Sequence, residues 1–180
     1  MNKVAKFEKV SFEQFEKDYI KTLQVSEDKV DEQYIRYIYD NIKLPKRATT
    51  GSAGYDFFSP ITFNLRKGES FTIPTGIKAK MEDGWVLTMH IRSSLGFKYG
   101  ISLSNTTGII DQDYYNSVKN EGHIFIKLSN VDKALSKDVL IINNDAFCQG
   151  IFLPYGITVD DDVTAIREGG IGSTSNKNTM

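Results

Sequence analysis

From Pro45 onward the chain consists of short apolar or alternating stretches cut by Gly, Asn, Asp and Pro, with no long amphipathic helix between them. No other feature limits the fold as much. Parallel strands need long crossovers, usually helical, whereas half-buried antiparallel strands alternate in side-chain character and join through short turns. Candidate strands cover 70–81, 84–91, 101–104, 123–130, 139–142 and 148–154, and the alternation is clear in Trp85-Val86-Leu87-Thr88-Met89 and over 124–128. Many short strands with turn signals predict an all-β jelly roll or barrel.

Residues 1–43 follow a different period. Ser11 followed by Gln14 fits a capping box, and Phe12, Phe15, Tyr19 and Leu23 recur at helical spacing. Ser26 reads as the cap of a second helix, with Glu27 and Asp28 at its positive end. Its apolar stripe would be Val30, Tyr34, Tyr37 or Ile38, and Ile42. Leu44-Pro45 stops the pattern, because proline disfavours a helical residue before it. The expectation is a short helical N-terminal extension (1–43) packed on the main body (44–166), followed by a Gly-rich tail (167–180) that is mobile unless a ligand orders it.

Composition removes several function classes. A formal net charge of -1 argues against a general nucleic-acid-binding surface. No apolar run reaches the roughly 18 residues that span a membrane, and the N-terminus lacks the apolar stretch of a signal peptide. The expectation is therefore a cytoplasmic protein that binds neither membrane nor nucleic acid. Cys148 is the only cysteine, which leaves no intrachain disulfide and no cysteine-based metal cluster. His90 and His123 are the only histidines and are not at metal-ligand spacing, so neither a zinc site of the deaminase kind nor a Ser-His or Cys-His nucleophile is expected. His90, in an alternating stretch, reads as a hydrogen-bonded sheet residue.

Five segments carry groups suited to phosphates, metal-bound water and a planar polar ligand: Ala53-Gly54-Tyr55-Asp56, Arg92-Ser93-Ser94-Leu95-Gly96, 105–114, 145–149 and 167–174. Each alone is weak, since Asp-Gln-Asp is ordinary turn composition and Arg-Ser-Ser an ordinary loop. The Gly-rich tail is no P-loop, because no Gly-Lys-Ser/Thr follows it.

In this order and at these separations the segments resemble the five motifs of the trimeric dUTPases, over about residues 44–175. Leu44-Pro45-Lys46-Arg47 and Asn120-Glu121-Gly122-His123-Ile124-Phe125 are similar to the members from Gram-positive bacteria and their phages. The resemblance implies a distorted jelly-roll β-barrel, a homotrimer, and Mg2+-dependent hydrolysis of dUTP to dUMP and pyrophosphate. It implies that Asp111 is the general base that takes a proton from the attacking water, and that Tyr114 packs on the deoxyribose and excludes a 2′-hydroxyl. Asn105 would read the uracil edge with its donor and acceptor, beside Gly108. Arg92, Ser93, Ser94 and Gly96 would serve the phosphate chain, and Arg167, Ile171, Gly172, Ser173 and Thr174 the closing tail. Asp56 and Gln149 would hold the magnesium through water.

Departures from the family pattern are visible. Ala146 stands where an arginine is usual, and Ile171 where a phenylalanine covers the base. The Tyr-x-Gly after the aspartate is expanded to 114–122. Two other readings follow. A dCTP deaminase shares the fold but needs a glutamate where Lys127 lies, in Ile126-Lys127-Leu128-Ser129-Asn130. A regulatory binding protein on the same scaffold, or an enzyme with an added regulatory protein partner, would account for Ile171, Ala146 and the extension.

Overall fold

The computed structural model describes residues 2–132, 134, 135 and 137–167. Within them the order is β1 (Ala5–Lys9), α1 (Phe12–Leu23), a 3-10 turn (Glu27–Lys29), α2 (Glu32–Asp40), β2 (Lys46–Arg47), β3 (Tyr55–Phe58), β4 (Phe63–Leu65), β5 (Ser70–Pro74) and β6 (Ile77–Met81). There follow β7 (Trp85–Ile91), α3 (Ser93–Tyr99), β8 (Ser102–Leu103), β9 (Gly108–Ile110), a 3-10 turn (Gln112–Tyr114), β10 (Phe125–Ser129), β11 (Val139–Ile141) and β12 (Ala146–Pro154).

Strand pairings among the described residues are antiparallel. One sheet runs β2-β3-β12-β7-β9 and another β5-β10-β8, with two-stranded ribbons β11-β4 and β1-β6. The inward positions meet in one core, where Phe57, Leu65, Ile73, Leu87, Met89 and Phe147 are each at most 1% exposed. The fold is thus the mostly β, jelly-roll-like barrel that the strand pattern predicts. The stretch 70–81 is two strands rather than one. It breaks at Gly76, whose φ of +73° suits glycine, and a β-carbon there would run into Ile42 and Phe15.

The N-terminal segment differs from its sequence reading in three ways. It supplies a strand as well as helices: β1 pairs with β6 and inserts Phe7 edge-on against Tyr55 and Phe57, with centroids 5.3 and 5.4 Å away. Burying such a ring contributes about 1.5–3 kcal/mol. Second, Ser11 does cap α1, its Oγ accepting from the Gln14 N–H at 3.1 Å, but the box is not closed locally. The Gln14 side chain turns to Asp18 (2.8 Å), and Glu121 accepts the Ser11 N–H (3.0 Å) and O–H (2.5 Å) instead. Third, Ser26 precedes only the 3-10 turn and makes no capping bond, whereas Asp31 caps α2 by accepting from the Tyr34 N–H at 3.0 Å. That later start rotates the buried stripe onto Ile35, Ile38 and Ile42, and leaves Tyr34 and Tyr37 more than half exposed.

The Lys9 ammonium donates to the Tyr39 and Asp40 carbonyls at 2.8 and 3.0 Å, a cation at the negative end of α2. His90 lies in β7 with Nε2 at 3.0 Å from Thr88 Oγ1. Cys148 is buried, and that burial pushes its thiol well above the usual range, which keeps it unreactive. No helix among the described residues is long and apolar enough to cross a membrane.

Candidate active site

The segment leaving the barrel after β9 builds the centre of the site. Gly108 pairs with Met89 of β7, and a β-carbon at Gly108 would lie 3.0 Å from the Met89 Cβ. A side chain there would press on Met89, and both residues line the same pocket. Asp111 follows in extended conformation and leads the 3-10 turn, but its side chain makes no capping bond to that turn. The carboxylate therefore projects outward. The turn then folds Tyr114 back into the body, where it is 7% exposed.

Asn105, Gly108, Asp111, Tyr114 and Arg167 all line one cavity of about 530 Å3. That size is typical of a small-ligand site. Ser104, Ile110, Phe125 and Lys127 also line it, and the sequence reading assigned none of these to a site. The strand pattern held a signal for one of them: Lys127 is the exposed position between buried Ile126 and Leu128. A shallower hollow of about 610 Å3 shares Asp111 and Arg167 and adds Asp113, Gln112 and Tyr155.

Arg167 joins the two hollows. Its Nη2 pairs with Asp111 Oδ2, and its Nε donates to Asp113 Oδ1 at 2.7 Å. Burial alone would lower its pKa, but the hydrogen bond and charge of Asp113 and the charge of Asp111 outweigh it, so the group is held above its ordinary value. Tyr114 goes the same way for a different reason. Burial raises its phenol, with only partial opposition from the hydrogen bond of Asn120, so the ring presents a neutral hydroxyl.

A second group of the expected residues gathers elsewhere. The β3–β12 pairing sets Asp56 opposite Gln149. Gly54 makes room, because a β-carbon there would stand 2.5 Å from Gln149 Oε1. Arg92 Nε lies 3.2 Å from Asp56 Oδ1, and its guanidinium donates to the Ala146 carbonyl at 3.3 Å. Ser93, Ser94 and Gly96 belong to α3, so Arg-Ser-Ser enters a helix rather than a loop. None of Asp56, Arg92, Ser93, Ser94, Gly96 and Gln149 lines the 530 Å3 cavity. One chain therefore brings five of the expected residues to this cavity and leaves six others outside it. Ile171, Gly172, Ser173 and Thr174 lie outside the described residues.

The donor set can be tested against a divalent ion. Asp56 and Gln149 offer a carboxylate and an amide oxygen side by side, hard ligands of the kind Mg2+ prefers. Among the described residues no group of three or more His, Cys, Asp or Glu is placed to hold an ion. A Mg2+ here would complete its shell with water and substrate phosphates, which suits that ion.

A dUTPase family model matches residues 40–175. The deoxyuridine 5'-triphosphate nucleotidohydrolase of Lactococcus lactis is 42% identical over 142 residues, covering 77% of this chain and 92% of its own. The enzyme of the same name from Dictyoglomus turgidum is 35% identical over 149 residues, covering 78% and 95%. Among solved structures, the dUTPase of Streptococcus mutans superposes with a TM-score of 0.60 at 34% identity, over 84% of this chain and 97% of its own.

Proposed function

This chain belongs to the dUTPase family, and on that premise we propose that it hydrolyses dUTP to dUMP and pyrophosphate at the cavity below Asp111. The observation that carries the assignment of residues is the convergence of Asp111, Asn105, Tyr114 and Arg167 on one pocket of nucleotide size. Asn105 hydrogen-bonds the uracil edge, for which an amide has both the donor and the acceptor. Tyr114 lies flat against the deoxyribose, where a 2′-hydroxyl would meet its ring. Asp111 orients a water, accepts its proton and so directs the attack in line at the α-phosphorus. Pyrophosphate leaves with its charge met by Arg167, a group that stays cationic and is already aimed at the mouth of the pocket. No covalent intermediate forms.

Mg2+, held through water by Asp56 and Gln149, would neutralise the triphosphate. The separation of the Asp56–Ser93 group from the Asp111 cavity supports a site shared between subunits of a homotrimer. Exposed apolar side chains flank both halves, Phe97 on α3 at 85% and Ile109 on β9 at 57%, a pattern that an assembly would cover. Deamination of dCTP is not favoured, because the cavity position that would need a carboxylate is Lys127, whose side chain ends in an amine.

The deciding assay is pyrophosphate release with Mg2+ from dUTP, dCTP, dTTP and UTP. Selective cleavage of dUTP is expected, with kcat in Asp111→Asn lower by about 10²–10⁴-fold, the usual worth of a positioned base. Full activity in a folded Asp111→Asn protein would remove Asp111 from the mechanism.

A further inference from the structure

The N-terminal segment and the expanded 114–122 stretch both lie outside the common family pattern, and Tyr114 apart neither has a part in the chemistry above. They turn out to be bonded to each other. Tyr115 donates its hydroxyl to Glu8 Oε2 of β1 at 2.6 Å. Glu121 accepts from both the N–H and the hydroxyl of Ser11, and from Lys78 Nζ at 3.2 Å. Most buried of all is His123, at 0% exposure. Its Nδ1 lies 2.7 Å from Asp18 Oδ2 on α1, and its Nε2 accepts the Gly76 N–H at 2.7 Å. An Nε2 that accepts carries no proton, so the imidazole is the Nδ1–H tautomer donating to Asp18.

This histidine also holds the pocket tyrosine. The Tyr114 hydroxyl donates to the His123 carbonyl at 2.7 Å and accepts from Asn120 Nδ2 at 2.7 Å. Asn120 is fixed in turn by the Ser117 hydroxyl, which donates to its Oδ1 at 2.9 Å. At Gly122, where φ is +79°, a β-carbon would collide with the Tyr114 carbonyl, so the chain doubles back closely on the tyrosine. His123 is therefore held by α1 at its side chain, through Asp18, and holds Tyr114 at its backbone carbonyl, so that one residue links α1 to the tyrosine of the cavity.

We propose that the N-terminal segment sets the sugar selectivity of the site: Asp18, acting through His123, is a positioning residue that fixes the Tyr114 ring at the depth where a 2′-hydroxyl is refused. The proposal rests on the reading of Tyr114 as the deoxyribose contact. It follows from the satisfaction of each atom. The phenol hydroxyl has one donor and one acceptor partner, and the His123 imidazole is pinned at both nitrogens, by Asp18 and by the Gly76 N–H, which anchors the residue whose carbonyl holds the ring. Loss of the Asp18 bond would therefore loosen the residue that supplies the acceptor for Tyr114.

The test uses the full chain and compares kcat/KM for dUTP with that for UTP. In Asp18→Ala the ratio is expected to fall about tenfold, mainly through a rise in kcat/KM for UTP; an ångström-scale misplacement of a positioned group can cost about a hundredfold. Asp18→Asn, which keeps an oxygen for the Nδ1–H, should restore most of the ratio. Ile35→Ala is the stability control, since it loosens α2 away from the path, and its ratio should equal that of the unmodified protein at a matched loss in Tm. An unchanged ratio in Asp18→Ala, with Tyr114→Ala abolishing selectivity, would overturn the positioning role and leave the reading of Tyr114 standing. An unchanged ratio in Tyr114→Ala would overturn that reading and the proposal together. If Asp18→Ala does not fold, Tyr114→Phe decides, because it cuts the hydroxyl link without touching α1. A lowered ratio there supports the proposal, and an unchanged one, beside a selectivity loss in Tyr114→Ala, overturns it.

Discussion

Asp111 and Gln149 show how single atoms set what this site can do. The Asp111 carboxylate is not spent on capping its own turn, and its charge is met by Arg167, which also takes Asp113. A triphosphate would compete for that guanidinium, and the carboxylate it released could then turn to a water. Gln149 depends on an atom that is missing. At Gly54 a methyl group would stand 2.5 Å from its amide oxygen, and the cheapest escape is for that flexible amide to swing away. Gly54→Ala should therefore fold normally yet need about tenfold more Mg2+ for half-maximal rate, the lower end of what disturbing an ion's supporting shell costs. A Mg2+ titration of the hydrolysis rate measures it, and an unchanged midpoint would show that Gln149 does not serve the ion.

At the scale of elements, the junction between α1 and the loop before β10 is electrostatic and so depends on pH. Glu121 adopts a positive φ of 56°, a conformation unfavourable for its side chain, and in doing so places its carboxylate at the N-terminus of α1. Burial raises its pKa, but the two Ser11 donors and the Lys78 ammonium outweigh burial, so the group sits below its ordinary 4.5. A depressed carboxylate contributes stability that is whole above the unfolded value and is lost as pH falls through the folded one. Thermal melts should therefore show Tm declining as the solution is acidified below about pH 4.5. Glu121→Gln should start lower at neutral pH and lose less on acidification. Parallel curves for the two proteins would mean that the junction does not rely on this charge.

For the whole molecule, the decisive fact is that one chain holds the Asp111 cavity and the Asp56–Ser93 group in different places. A cyclic assembly brings unlike surfaces of identical chains together, so scattering should give three times the 20.3 kDa of one chain. Subunit mixing then tests shared sites directly. If Asp111→Asn and Ser93→Ala trimers are each strongly impaired, an equal mixture reassembled from unfolded chains should recover about a quarter of the intact sites, those drawing each residue from a different chain. No recovery would place both residues in the same chain's site.

How much could be read without coordinates followed from the range of the interactions. The barrel was legible because strand alternation is a local record of which side faces a core, and Leu87, Met89, Ile126 and Leu128 lie inside as that alternation requires. Asp111, Asn105 and Tyr114 were singled out by the resemblance of the segments around them, and the fold brings the three to one cavity. Ser26 misled because a cap residue followed by an acidic turn stands five residues before the real cap at Asp31, and the period alone cannot choose the phase of a short helix. The partners of Ser11 and His123 were beyond any local pattern, since they stand 110 and 105 residues away along the chain. The sequence by itself thus determined the all-β class, whose alternation depends on neighbours in the chain. Only the tertiary structure decided what holds Tyr114 in place, because a buried hydrogen bond between distant segments exists only once the barrel has closed around it.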